Sequence, residues 1–154
     1  MFCGCQTISL DAQNRMAVPV RFRKIIARES ENRLVVTRGI ESSRLFLTLY
    51  TLKKWQEIEE TVKTLPSANP VSQQIRRLLI GSACELELDT NHRILLPATL
   101  RGYMCLHKKA VMIGVGEVIE LWDEEQWSAC EQSYNQNPID FAQLPDVFQN
   151  LNFN

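Results

Sequence analysis

Leu10-Asp11-Ala12-Gln13-Asn14-Arg15-Met16-Ala17-Val18-Pro19-Val20-Arg21-Phe22-Arg23 decides the reading of this chain, because it occurs twice. Seventy-eight positions later the chain reads Leu88-Asp89-Thr90-Asn91-His92-Arg93-Ile94-Leu95-Leu96-Pro97-Ala98-Thr99-Leu100-Arg101. Five of the fourteen positions are identical, where average composition gives about one by chance. Apolar residues also match, Met16 with Ile94, Val18 with Leu96 and Phe22 with Leu100. A second echo aligns Tyr50 and Trp55 with Trp122 and Trp127, now 72 positions apart, as when a loop shortens between duplicated halves. The duplication places two copies of one surface, each with an Asp-x-x-x-Arg loop, in a single chain. That is the layout of a scaffold that reads a repeated or extended partner.

Each copy has the same coarse plan. A strand is predicted from about Cys5 to Leu10 and from Cys84 to Leu88, where Cys84, Leu86 and Leu88 alternate with Glu85 and Glu87. The Asp-x-x-x-Arg turn follows, then a short strand, Met16 to Val18 and Ile94 to Leu96. Pro19 and Pro97 stop these strands, having no amide proton for a ladder. Each can open a helical turn, so Val20 to Lys24 and Ala98 to Gly102 read as single turns. Two more strands follow in each half, Arg33 to Thr37 with Leu45 to Leu49, and Ala110 to Ile113 with Val118 to Trp122. Gly114-Val115-Gly116-Glu117 reads as a tight connection. Each half closes with a helix. Leu52, Trp55, Ile58, Val62 and Leu65 form one apolar stripe in the first, and Asp123 is the expected N-cap of the second. A linking helix is capped by Asn69, opened by Pro70 and ended by Gly81, with Val71, Ile75, Leu78 and Leu79 as its stripe. Arg76 and Arg77 are expected on its exposed side. The organisation is therefore α+β: residues 1–66 as the first repeat, 67–82 as the linking helix, 83–134 as the second repeat, and 135–154 as a polar tail that docks as a short helix.

At 154 residues and 45% hydrophobic content, the chain can build a core. No apolar run approaches the roughly 20 residues of a membrane span. Met1-Phe2-Cys3-Gly4-Cys5-Gln6 lacks the features of a signal peptide, so a cytoplasmic protein is expected. The five cysteines, Cys3, Cys5, Cys84, Cys105 and Cys130, include no Cys-x-x-Cys pair, so a zinc site is not expected and free thiols are. A net charge of −1 argues against indiscriminate nucleic-acid binding. Its distribution is uneven: residues 1–30 carry five basic and two acidic groups, and residues 102–154 two basic and eight acidic. Such a chain can still present a basic face.

The duplicated Leu-Asp-x-x-x-Arg-…-Pro-…-Arg element, with Phe2-Cys3-Gly4, Gln74-Ile75-Arg76-Arg77-Leu78-Leu79-Ile80-Gly81-Ser82-Ala83-Cys84-Glu85, Val111-Met112-Ile113-Gly114-Val115-Gly116 and Glu120-Leu121-Trp122-Asp123, resembles the MraZ family of bacterial transcriptional regulators over roughly residues 1–134. The resemblance implies an AbrB/SpoVT-like fold, a double-psi or swapped-hairpin barrel with both copies in one chain. It implies ring-shaped homo-oligomers and nucleoid association. It also implies binding to short repeated double-stranded DNA boxes upstream of the division and cell-wall gene cluster, usually as a repressor. Where the family commonly has Arg at position 3, Lys at 13 and Gly before the motif Arg, this chain has Cys3, Gln13, Asn14 and His92. Two positive charges are thus missing from the expected DNA face. Asn and His both tolerate the left-handed backbone such a turn needs.

The residue types fit DNA reading. Arg15 and Arg93 project from equivalent turns, and a guanidinium can bind guanine O6 and N7 or clamp a phosphate. Arg21, Arg23, Lys24 and Arg101 are candidate phosphate contacts, and Gln13, Asn14 and Asn91 suit base edges. Asp11 and Asp89 repel phosphate and are expected to shape the turn or orient the arginines. The plain alternative is that Asp and Arg bridge each other and hold the hairpin, and that Arg23 and Arg101 contact the backbone of the core turn. So few basic contacts bind weakly from one subunit, so a ring engaging several repeats is expected. No phosphate loop, histidine pair or nucleophile constellation points to an enzyme. No cofactor, membrane or small-molecule substrate is expected. The rival reading is a protein-interaction ring or scaffold with weak DNA affinity.

Overall fold

The structure is a computed structural model describing residues 1–41 and 43–148. The first copy opens with β1 (Phe2–Ser9), passes through the turn and continues as β2 (Arg15–Ala17). Pro19 ends β2 and sits at the N-cap of α1 (Val20–Ser30). Strands β3 (Arg33–Arg38) and β4 (Leu47–Tyr50) and helix α2 (Leu52–Lys63) complete it. Helix α3 (Pro70–Ile75) widens into a π turn, Arg76–Ile80. The second copy runs β5 (Cys84–Glu87), β6 (Arg93–Leu95), α4 (Ala98–Tyr103), β7 (Lys109–Gly116), β8 (Ile119–Asp123) and α5 (Glu124–Gln136). The chain forms two compact units, one from Met1 to Glu124 and one from Glu125 onward.

Local chemistry sets these elements. In β5, Leu86 is buried between exposed Glu85 and Glu87, the alternation of a half-buried strand. The Thr51 side chain accepts the Lys54 amide and caps α2. Asn69 accepts the Val71 and Ser72 amides and caps α3, with Pro70 behind it. The α2 stripe packs Trp55 and Val62, with Ile58 and Leu65, against Val35 of β3 and Leu79 of the π turn. Ser30, buried at the end of α1, donates its hydroxyl to the Arg33 carbonyl and accepts the Leu52 amide at 2.8 Å.

Six strands form one sheet in the order β1-β7-β8-β4-β3-β5, antiparallel at each step. Interchanging equivalent strands of the two copies (β1 with β5, β3 with β7, β4 with β8) turns this order into its own reverse. The halves therefore exchange strands: β1 of the first pairs with β7 of the second, and β5 of the second with β3 of the first. β2 and β6 leave the sheet and pair with each other, Met16 opposite Ile94. The main core follows the exchange. Met16, Val18, Phe22 and Leu34 of the first half pack with Ile94, Leu96, Leu100 and Met112 of the second.

Several expectations need correction. Val20 begins an eleven-residue helix rather than a single turn. Phe22, Ile26 and Ser30, four apart, supply its buried side. It stops where Glu31 and Asn32 turn left-handed (φ 51° and 59°), and both amides reach back to the Ile26 carbonyl. The linker stripe holds at Ile75 and Leu79, which pack with the α2 cluster, but Val71 at its start is exposed and Ser72 takes the buried position. Arg76 is only partly exposed. Its Nη2 donates to the Leu65 and Val62 carbonyls at 2.5 and 3.4 Å and closes the end of α2. Strand β7 runs on through Gly114 to Gly116, which turns at φ 104°. In the second unit α5 extends to Gln136, and single 3-10 turns at Phe141–Gln143 and Asp146–Phe148 replace the expected tail helix. The rest of that helix, including Leu151, lies outside the described residues.

Candidate nucleic-acid interface

The two quoted stretches build the same turn. Asp11 Oδ1 accepts the amides of Gln13 and Arg15 at 2.8 and 2.9 Å. Asp89 Oδ1 accepts those of Asn91 and Arg93 at 2.8 and 3.0 Å. The Asn14 amide bonds the Asp11 carbonyl at 3.0 Å and the His92 amide bonds the Asp89 carbonyl at 2.9 Å. The chain reverses through Asn14 (φ 62°) and His92 (φ 58°), the left-handed region that costs most side chains about 1–2 kcal/mol and Asn least among them. Donation by the Arg15 amide is the largest cause holding the Asp11 carboxyl below its ordinary 3.8, followed on the same side by the Gln13 amide and the Arg15 and Arg93 charges. The Asp89 carboxyl is lowered likewise, first by the Arg93 amide.

Because β2 and β6 pair, the two turns lie side by side. Arg93 reaches its own Asp89 (Nε to Oδ2, 3.0 Å) and the other half's Asp11 (Nη1 to Oδ2, 3.2 Å). Arg15 makes the equivalent pairs more loosely, 3.5 Å to Asp89 and 3.8 Å to Asp11. The result is an alternating ring of two carboxylates and two guanidinium groups, with all four side chains about a third exposed (29–33%). The ring is neutral as a whole, and Arg15 is its less engaged cation. The Val18 amide donates to the His92 carbonyl at 2.9 Å, a further tie between the halves.

Gln13, Asn14, Asn91 and His92 surround this ring and are all exposed. Arg101 comes to the first turn from the opposite half. It shares a surface hollow of about 420 Å³ with Asn14, Leu10 and His107. The remaining basic candidates lie elsewhere. Arg23 turns inward, its Nε donating to the Val18 carbonyl at 2.8 Å, which is the backbone contact the sequence left open. The Arg21 guanidinium lies over β1 and occupies the space a side chain at Gly4 would need. Along an extended strand that point is about 17 Å from Ser9, where the turn begins. Lys24 is exposed on α1. The cross-half ion pairs were invisible in the sequence, where only the Asp and Arg within one loop are neighbours.

Comparison with known proteins agrees with the duplication. Residues 1–78 and again 79–143 match the model of the MraZ protein family, described as antitoxin-like. The chain belongs to the MraZ family. The chain is 39% identical over 150 residues to a transcriptional regulator MraZ of Hydrogenovibrio crunogenus, covering 97% of this chain and 95% of that protein. It is 42% identical over 134 residues to the transcriptional regulator MraZ of Legionella pneumophila and 41% over 134 residues to that of Coxiella burnetii, each covering 87% of both chains. These MraZ relatives are named as transcriptional regulators, not as enzymes. Among the described residues no helix is long and apolar enough to cross a membrane.

Proposed function

We propose that this chain is a sequence-specific DNA-binding transcriptional regulator acting as a repressor. It binds short repeated boxes upstream of its own operon in the division and cell-wall gene cluster, as a ring of identical subunits in the cytoplasm at the nucleoid. The observation that carries the reading is the joined pair of turns. They form one surface of exposed hydrogen-bonding side chains, Gln13, Asn14, Asn91 and His92, with Arg15, Arg93 and Arg101 among them. Such neutral groups with a few arginines suit base edges in a major groove. Arg15, the looser cation of the ring, is the base-reading residue, and Arg93 chiefly holds the two turns together while adding positive charge. Arg21, Lys24 and Arg101 are phosphate contacts, and Arg23 supports the turn. The relatives' naming as transcriptional regulators supports the same reading.

The fold is an AbrB/SpoVT-like swapped-hairpin barrel whose repeats span residues 1–66 and 83–134, joined through 67–82 and followed by the tail 135–154. The strand exchange supports this, as does the β2–β6 ladder, which joins the segments that follow the two outer strands of the sheet. A neutral ion ring gives one subunit little net attraction for phosphate, so several subunits engaging successive boxes supply the affinity. Footprinting on the DNA upstream of the gene tests the proposal. Regularly spaced protected boxes are expected. Protection without sequence preference would overturn it.

A further inference from the structure

We infer that the acidic, apolar segment 137–148 of one copy docks into the groove between α2 and the π turn of a second copy. The groove holds about 640 Å³. Val62 and Ile80 form its floor, and Lys63, Arg76, Arg77 and Glu59 its rim. Ile80 is exposed there (37%), and the groove continues past Glu59 and Ile80 into a second hollow that reaches Leu52 and Trp55. The π turn lines this space with Arg76, Arg77 and Ile80. Its wide ring closes with the Gly81 amide on the Arg76 carbonyl at 3.0 Å, and a side chain at Gly81 would collide with the Arg77 carbonyl. Single π turns recur at functional positions. Arg76 is committed to the Leu65 carbonyl; Lys63, paired with Glu60 at 2.9 Å, and Arg77 are the exposed cations of the rim.

The segment has the complementary character. Ile139 and Val147 are 77% and 78% exposed, and Phe141 and Phe148 about half exposed. These four side chains lie within ten residues, and a contiguous apolar patch marks an interaction site. From Ala110 to the end the sequence has no Lys, Arg or His, and this stretch carries Asp140 and Asp146. Asp140 accepts the Ala142 amide at 3.0 Å, which fixes a short turn presenting Phe141. An acidic segment with apolar anchors fits an apolar groove with a cationic rim. The charge and apolar character of the segment match the groove that a second copy of the chain presents.

This inference rests on the proposal that the subunits assemble, and names one of the surfaces that would join them. The test is a charge exchange in the full chain, read as particle mass by sedimentation. One variant carries Lys63→Glu with Arg77→Glu, the other Asp140→Lys with Asp146→Lys. Each alone sets like charges against each other in every copy, which weakens association by about tenfold or more. The expected result is that each variant alone falls toward the 17.7 kDa of a single chain, and that an equimolar mixture regains the wild-type mass. Phe141→Ser with Phe148→Ser, at half-exposed positions and with the far-ultraviolet circular dichroism unchanged, should lower the mass in the same way. Wild-type mass in all three variants, or a mixture that stays small, overturns the inference while leaving the assembly proposal standing. A wild-type protein that sediments as a single chain overturns both.

Discussion

Replacing Ile94 by alanine probes the ladder that brings the two turns together. Ile94 and its register partner Met16 are both fully buried. The substitution removes three carbon atoms, about 2.4 kcal/mol of transfer free energy at roughly 0.8 kcal/mol per buried carbon. The cavity left between the halves raises the loss to about 3–4 kcal/mol. With a urea slope of about 1.5–2 kcal/mol per molar, the unfolding midpoint falls by about 2 M with the slope unchanged. Ile94→Val should cost only about 1 kcal/mol. Met16→Ala with Ile94→Ala should cost less than the sum of the single changes, by about 0.5 kcal/mol or more, because the two side chains share one cavity. The assay is urea unfolding followed by far-ultraviolet circular dichroism, at one fixed protein concentration because association also stabilises the fold. A loss below about 1 kcal/mol for Ile94→Ala, or strict additivity with Met16→Ala, would refute the placement of this pair at the junction of the halves.

Three further outcomes are expected. Asn14→Gly should be tolerated, while Asn14→Val should cost about 1–2 kcal/mol because its branched side chain is strained at positive φ; equal melting midpoints for the two would contradict the turn geometry. Asp11 and Asp89 are both lowered in the folded chain, so their stabilisation is complete above the ordinary carboxylate value of 3.8 and is lost as pH falls through the lowered values. Asp11→Asn with Asp89→Asn should therefore flatten the fall of the melting midpoint below pH 3.8; an unchanged acid slope would count against the ion ring. Thr37, fully buried, donates to the Leu79 carbonyl at 2.5 Å and ties β3 to the π turn. Thr37→Val should cost about 1–3 kcal/mol and speed amide exchange at residues 76–80, and unchanged exchange there would show that the bond does not hold the turn.

What the sequence revealed was local. The Asp, Pro and Arg of the repeat marked both turns, the α2 stripe from Leu52 to Leu65 marked a helix, and Asn69-Pro70 marked the start of another. Strand exchange was not legible, because pairing β1 with β7 and β5 with β3 depends on partners about 100 and about 50 residues away along the chain, not on the periodicity of either strand. The Phe22 and Ile26 spacing that extends α1 was present in the sequence but masked by Arg21, Arg23 and Lys24 between and around them. At the candidate interface, the residue types on each turn were readable. The inward rotation of Arg23, the lie of Arg21 over Gly4 and the arrival of Arg101 beside Asn14 were not, since each is fixed by packing between segments far apart in sequence.

Binding of wild type and Arg15→Ala to the DNA upstream of the gene, by mobility shift at two salt concentrations, tests most directly whether the joined turns read DNA. Wild type should bind its boxes in preference to unrelated DNA. Arg15→Ala should lose that preference by about 1–3 kcal/mol, roughly 5- to 150-fold, with its sedimentation mass unchanged. Equal specific binding by the two proteins would contradict the assignment of the turns as the reading surface.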